Sequence, residues 1–191
     1  LIKSQGLQRL HGVLQHGVTA LIGITQPVTR LDHSMGVMIL VDRLGGELPE
    51  QIAGLLHDAS HTAFSHVIDY VFNDHDSQRY HDEHQEAYLS ATDIPSILAR
   101  HGYDWRQFLD ESQFPILEQP APRLCAHRLD YFLRHSLDLG LATMPQVAWV
   151  LDRRGVDFEM RIIGPVTEAG LGEEMASVLR EAGLEGKVKL L

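Results

Sequence analysis

Between Leu55 and Asp69 an apolar helical stripe runs into three histidines and two aspartates, Leu-Leu-His-Asp-Ala-Ser-His-Thr-Ala-Phe-Ser-His-Val-Ile-Asp. Ile52, Leu55, Leu56 and Ala59 recur at helical spacing, so His57, Asp58 and His61 enter the fold where a dry core is expected. Such side chains are costly to bury unless something neutralises them. A fold that accepts this stretch must bring partners to it from elsewhere in the chain. His57 and His61 read as one helix face at i,i+4, and Asp58 adds a carboxylate to the same small volume. Mixed imidazole and carboxylate donors suit a divalent transition metal better than magnesium, which prefers oxygen.

The partners are sought among helices. His33 opens an apolar helix (Met35, Val37, Met38, Leu40, Val41) expected to pack beside the one that carries His57, with Asp32 as its N-cap and Gly45-Gly46 as its stop. Before it lie a helix over Ser4 to Leu14 and an apolar run from Gly17 to Ile24. Pro49 starts the His57 helix, a break falls at Ser60 to Ala63, and a further helix runs from Phe64 to Phe72. Helical patterns return at Tyr80–Ala91, Ile94–His101 and Asp104–Leu109, and Pro115, Pro120 and Pro122 mark a connector. A long helix over Arg123 to Leu139 carries the stripe Leu124, Leu129, Phe132, Leu133, Leu137 and stops at Gly140; a short one follows at Gln146 to Asp152. Then the period changes: Val156, Phe158, Met160 and Ile162 alternate as a half-buried strand does. A helical stretch over Glu173 to Glu181 and the basic-apolar Lys187 to Leu191 follow. The expected fold is mainly α, a helical bundle over residues 1–154 with a small C-terminal α/β extension over 155–191.

Charge and composition narrow the partners. Sixteen basic against 26 acidic residues give a formal charge of −10, which argues against bulk electrostatic binding to nucleic acid or an anionic membrane. A locally basic pocket for an anionic substrate is compatible with it. Cys125 is the single cysteine, so there is no disulfide framework and a cytoplasmic setting is expected. No apolar run approaches the ~20 residues needed to span a bilayer, and no signal-peptide pattern is present. The chain opens on Leu1 rather than Met, as a piece of a longer protein would. Histidine, at 12, is the unusual count. Three helices that brought together His33, the His57-Asp58 pair and a ligand from the Arg123–Leu139 helix would make a metal site with positions left for water and substrate oxygen.

Three blocks now carry a resemblance. Arg30-Leu31-Asp32-His33-Ser34-Met35-Gly36-Val37, then His57-Asp58-Ala59-Ser60-His61-Thr62-Ala63-Phe64-Ser65-His66, then Arg128-Leu129-Asp130-Tyr131-Phe132-Leu133-Arg134 resemble, in order, signature blocks of HD-superfamily metal-dependent phosphohydrolases. They are most similar to the branch of the deoxynucleoside triphosphate triphosphohydrolases, the dGTPase-like and SAM-and-HD-domain proteins. The resemblance implies an all-helical HD-domain bundle and one divalent ion, with Mn, Fe, Co, Ni, Zn and Mg left open. It implies a nucleotide or other phosphorylated small molecule as substrate, and a homo-oligomer. His33, His57 and Asp58 match three metal ligands; His61, His66 and Asp69 match substrate-side and catalytic residues. A further catalytic histidine matches His84 by spacing or His81 by its following acid. Arg30 matches an arginine facing substrate phosphate, Gln15 a glutamine facing the sugar, and Tyr131 and Arg134 line the pocket.

Three departures qualify this. The family's fourth ligand is an aspartate where this chain has His127, so His127 is the expected fourth donor and Asp130, nearly one turn on, the alternative or a group that supports a ligand from behind. His135 stands where the family often has a sugar-recognising aspartate, and His16 where a leucine helps exclude a ribose hydroxyl. Phosphohydrolase chemistry is therefore better supported than deoxynucleotide selectivity. Two other readings keep the fold: a two-metal HD protein, either a cyclic-dinucleotide phosphodiesterase or a di-iron oxygenase, and a retuned or inactive regulatory module.

Overall fold

The computed structural model describes residues 1–64, 80–120, 123–152, 160–162 and 188–190, with side chains described for these except 80–82, 152, 160–162 and 188–190. The chain forms α1 (Gln5–Gln8), a 3-10 turn (Arg9–Gly12), α2 (Val18–Leu21), α3 (Arg30–Arg43), α4 (Leu48–Leu56), α5 (Tyr80–Ser90) and α6 (Ile94–Arg100). Short 3-10 turns at Trp105–Phe108 and Glu111–Gln113 precede α7 (Ala126–Asp138) and α8 (Met144–Asp152). The architecture is mainly helical, as expected. No helix among the described residues is long and apolar enough to cross a membrane.

The core gathers Leu7, Leu10, Leu31, Val37, Val41, Leu56, Leu89, Ile94, Leu98, Phe108 and Leu117, all essentially out of water. α3 packs along α4 and also meets α7, so one helix touches both elements that flank the future site. At the C-terminal end, β1 (Met160–Ile162) pairs in parallel with β2 (Val188–Leu190), Arg161 opposite Lys189. A parallel pair requires a crossover, and the stretch expected to supply it, with the helix over Glu173 to Glu181, lies outside the described residues. So do Val156 and Phe158 and most of the Phe64–Phe72 helix.

Several local expectations are corrected. The Ser4–Leu14 helix is a single α-turn continued by a 3-10 turn, and it stops at Val13, whose backbone is extended. The N-cap of α3 is Thr29, not Asp32. Thr29 Oγ1 accepts the Asp32 amide at 3.1 Å while the Asp32 carboxylate accepts the Thr29 amide at 3.2 Å, a reciprocal capping box. α7 starts only at Ala126, because Cys125 is extended, and it ends before Gly140, whose φ is +67°. Its fully buried residues are Ala126 and Asp130, while Phe132 is exposed and Leu129, Leu133 and Leu137 are half-buried. The leucine stripe is therefore not the helix's innermost face; a polar face is.

The two ends of the described N-terminal half are tied by one carboxylate. Asp93 accepts the amides of Gln5 at 2.9 Å and Gly6 at 3.1 Å, two of the donors that the start of α1 would otherwise leave unpaired. Slight burial pushes the Asp93 carboxyl up, but these amide bonds outweigh it and hold it below its ordinary value. A depressed folded pKa gives stability that is full above the unfolded value of about 3.9 and is lost as pH falls through the folded one. Asp93→Ala is therefore expected to cost about 1 kcal/mol near neutrality. The melting-temperature gap to the parent chain should close on acidification from about pH 5 towards pH 2, and a gap unchanged with pH would refute this account.

Candidate metal centre

α3 brings in His33, one turn past its capping box and wholly buried. Its Nδ1 lies 2.7 Å from Asp130 Oδ2 on α7, and the same oxygen accepts Arg134 Nε–H at 2.7 Å. The Asp130 carboxylate accepts the His33 Nδ1–H and so fixes which edge of the ring, the Nε2 side, is turned away from α7's carboxylate. Arg134 also donates to the Asp32 carbonyl at 2.9 Å, which ties α7 to the first turn of α3.

α4 delivers His57 as its C-cap, not as a residue of its interior. The helix ends at Leu56, and residues 57–60 form a turn, so His57 and His61 do not share an i,i+4 face. The turn instead folds Asp58 back between them. His57 Nδ1 sits 2.8 Å from the Gly54 carbonyl, which only accepts, so Nδ1 carries the proton. Burial above all, then His127 and His33, hold His57 well below its usual pKa against the pull of Asp58 and Gly54. It is a neutral imidazole at pH 7.

The other two ring nitrogens meet: His57 Nε2 and His33 Nε2 are 3.3 Å apart. That separation is one that two imidazole donors to a single cation adopt. Nitrogen donors about 2.0–2.1 Å from one ion stand about 3.0 Å apart at a right angle and about 3.4 Å at the tetrahedral angle. His127, second residue of α7, completes a group in which one ligand atom from each of His33, His57 and His127 lies within 4.8 Å of the others. The ring centroids are 4.8 to 5.4 Å apart. All three rings have their other nitrogen occupied, His33 by Asp130, His57 by Gly54 and His127 by Glu118 at 3.0 Å. Metal-binding histidines are held in this way, because the outer hydrogen bond fixes both tautomer and ring orientation. The residues fit a divalent ion.

Asp58 adds the negative charge. Its Oδ1 is 3.1 Å from His61 Nε2 and 3.6 Å from His57 Nε2; its Oδ2 is 2.6 Å from Arg30 Nη1 and 3.8 Å from His33 Nε2. Burial pushes the carboxyl up, yet Arg30, then His57 and His61, outweigh it and hold it well below the usual carboxylate range. The turn that carries these groups is held from the N-terminal segment: Arg9 donates to the carbonyls of Ala59 and His61 and to Tyr88 Oη.

Matches to known proteins give the family. The HD-domain family matches residues 30–134, more than half of the chain. The chain belongs to the HD-domain family. This HD chain is 49% identical over 144 residues to the metal-dependent phosphohydrolase cns2 of Cordyceps militaris, covering 75% of this chain and 41% of that protein. It is 47% identical over 153 residues to the uncharacterized protein YdhJ of Bacillus subtilis, covering 80% of this chain and 47% of that one. It therefore spans less than half the length of either relative. A crystal structure of a hypothetical protein from Aquifex aeolicus superposes with a TM-score of 0.58 at 26% identity, over 74% of this chain and 42% of that one.

The remaining candidates of the HD site fall into three groups. His61 is buried beside Asp58, as above. Arg30 is buried too, with Nη2 3.4 Å from the Gln15 carbonyl, so Gln15 borders the site through its backbone. Tyr131 is half-buried 6.4 Å from the His127 ring and stacks on Phe132, and burial pushes its phenol up. Arg134 is engaged by Asp130 and the Asp32 carbonyl. His84 is exposed on α5; His66 and Asp69, and the side chain of His81, lie outside the described residues. Two of the three histidine departures meet edge to face, His16 and His135 at 5.2 Å between centroids, and burial, then His135, lower the His16 pKa. Glu50, at a helix start, and Glu118, in a proline-rich connector, carry no sequence signal, because no periodicity marks either place.

Proposed function

We propose that this HD chain is a metal-dependent phosphohydrolase acting on a nucleotide or another phosphorylated small molecule, with one divalent ion held by His33, His57, Asp58 and His127. One observation carries the reading: the Nε2 atoms of His33 and His57 lie 3.3 Å apart, each ring fixed by the bond its other nitrogen makes. Asp130, at His33 Nδ1, is assigned to orient that ring rather than to bind the ion. The printed activity of cns2 supports the reaction class.

A divalent ion there would supply Lewis acidity to a phosphoryl oxygen and to the attacking water. The chain's own residues do the rest. Arg30 keeps Asp58 ionised and is assigned to the phosphate charge; His61 holds a proton at Nε2 beside Asp58 Oδ1. His66, Asp69 and either His81 or His84 complete the proposed proton-handling set, and Gln15, Tyr131 and Arg134 the substrate contacts. The finer reading is a (d)NTP triphosphohydrolase of the dGTPase-like branch, supported by the three motif blocks in order. The His16–His135 contact makes a different sugar site from the family's, so the nucleotide panel must include ribose and deoxyribose forms. We place the domain boundary at 154/155, and we propose a cytoplasmic homo-oligomer, to which exposed Leu21, Ile22, Ile24 and Leu141 lend apolar surface.

Chelator-stripped protein is expected to be inactive and to regain turnover with manganese, cobalt, nickel, iron or zinc at one ion per chain. Saturation at about 100 times the dissociation constant should stabilise the fold by about 2.7 kcal/mol. Release of phosphate, pyrophosphate or triphosphate is read across nucleotides and phosphomonoesters. A loaded chain that releases none of these from any member would overturn the proposal, and two tightly bound ions would favour the two-metal reading.

A further inference from the structure

We infer that Glu118 is the positioning residue that makes His127 a metal donor, an inference that rests on the proposed metal-dependent site. An imidazole binds a metal only through an unprotonated nitrogen, and a free histidine exchanges its proton between the two. The Glu118 carboxylate settles this for His127. Its Oε2 is 3.0 Å from His127 Nδ1, so that nitrogen is engaged and Nε2 is the one left to bind an ion. Of the three rings His127 is the least buried, with 34% of its side chain accessible. It has the most room to swing away, and so depends most on the bond that aims it.

Glu118 is itself held by a frame built for it. Arg128 Nη2 donates to its Oε1 at 2.6 Å, and the Gln119 amide donates to the same oxygen at 2.9 Å. The Glu118 amide donates to the Phe114 carbonyl at 3.0 Å. Just before it, the amides of Ile116 and Leu117 donate to Glu50 Oε1 at 2.6 and 3.1 Å. The carbonyls of Ile116 and Leu117 accept from Ala126 and His127 at 2.8 and 3.3 Å, and Leu117 is fully buried. Glu50 lies in the first turn of α4, the helix that ends at His57. One helix therefore presents a donor at its C-terminus and, from its N-terminus, fixes the strap that aims another. Burial pushes the Glu118 carboxyl up, but the His127 hydrogen bond and Arg128 outweigh it, so it is ionised at neutral pH and adds negative charge behind the ring.

The test measures cobalt(II) affinity by competition with a chromophoric chelator, together with the visible absorption of the cobalt-loaded chain. Glu118→Ala is expected to weaken binding about 10–100-fold and to change the cobalt spectrum. Near-isosteric Glu118→Gln, which keeps an oxygen for His127 Nδ1–H, should recover part of the loss. Nitrogen-15 NMR of the histidine rings should show His127 leaving the Nδ1–H tautomer in Glu118→Ala. If Glu118→Ala does not fold, Glu118→Gln is read alone, with weaker binding expected. Unchanged cobalt affinity and spectrum in a folded Glu118 variant would overturn the inference. The underlying reading fails separately: the parent chain would bind no cobalt, or His57→Ala would bind it as tightly as the parent.

Discussion

Asp58→Asn is expected to cost this chain both its ion and its turnover, and a large part of its stability as well. Asparagine keeps the shape of the side chain and removes its charge. The proposed donor set loses its one anionic member, and Arg30, 4% exposed and 2.6 Å from Asp58 Oδ2, is left as a buried cation without its counter-charge. Breaking such a pair costs about 3–5 kcal/mol, measured as a fall in unfolding free energy of the metal-free protein. Losing several kcal/mol of transition-state stabilisation, about 4, lowers the rate on the order of 10³-fold. Arg30→Met on the Asp58→Asn background should return most of the stability and none of the activity. Acid titration adds a sign: Asp58 has a depressed pKa, so its contribution is full above about pH 4 and is lost as pH falls through the folded value. Metal-free parent protein should lose stability on acidification more steeply than Asp58→Asn. Full metal binding and turnover in Asp58→Asn would contradict the site assignment.

The second large effect comes from a residue with no side chain. A Cβ at Gly36 would overlap the Asp130 carboxylate and the Arg134 guanidinium, which lie against α3. Asp130 is buried and orients His33, so it has little freedom to yield without releasing that ring. Gly36→Ala is expected to cost about 1–3 kcal/mol of stability through overpacking. If Asp130 swings off His33 Nδ1, metal affinity should fall about 10–100-fold as well. Gly12→Ala is the matched control, because a Cβ there meets nothing within 4 Å; its effect should stay within about 0.5 kcal/mol. Thermal melts and chelator competition read both quantities. Equal results for the two variants would show that the Gly36 contact does not matter.

The HD cluster was legible because His33, His57 and Asp58 interrupt apolar helical patterns, and burial of such groups demands partners. The helical class was legible from periodicity, and the stops at Gly45 and Gly140 from their residue type. What periodicity could not supply was the end of α4 at Leu56, where the apolar spacing continues through Ala59 while the backbone turns. That turn sets Asp58 between His57 and His61. Nor could it rank the faces of α7, since leucines there are outnumbered in importance by Asp130, a residue whose partner His33 is 97 positions away. Thr29 and Asp32 are both good caps by residue type, and only the reciprocal bonds decide between them. Glu118 had no local signal: its role depends on Glu50, Arg128 and His127, contacts that exist only after folding.

Arg9 has a consequence for where such a module can be cut. It stands outside residues 30–134, the part that matches the HD family, yet its guanidinium grips two carbonyls of the loop bearing Asp58 and His61. Tyr88 Oη, which accepts from Arg9, in turn donates to the Gly6 carbonyl at 2.6 Å and locks the strut from its far side. A fragment trimmed to the matched borders would keep every proposed ligand and lose the brace that shapes the loop between them. The smallest working unit of this chain is therefore larger than its recognisable signature.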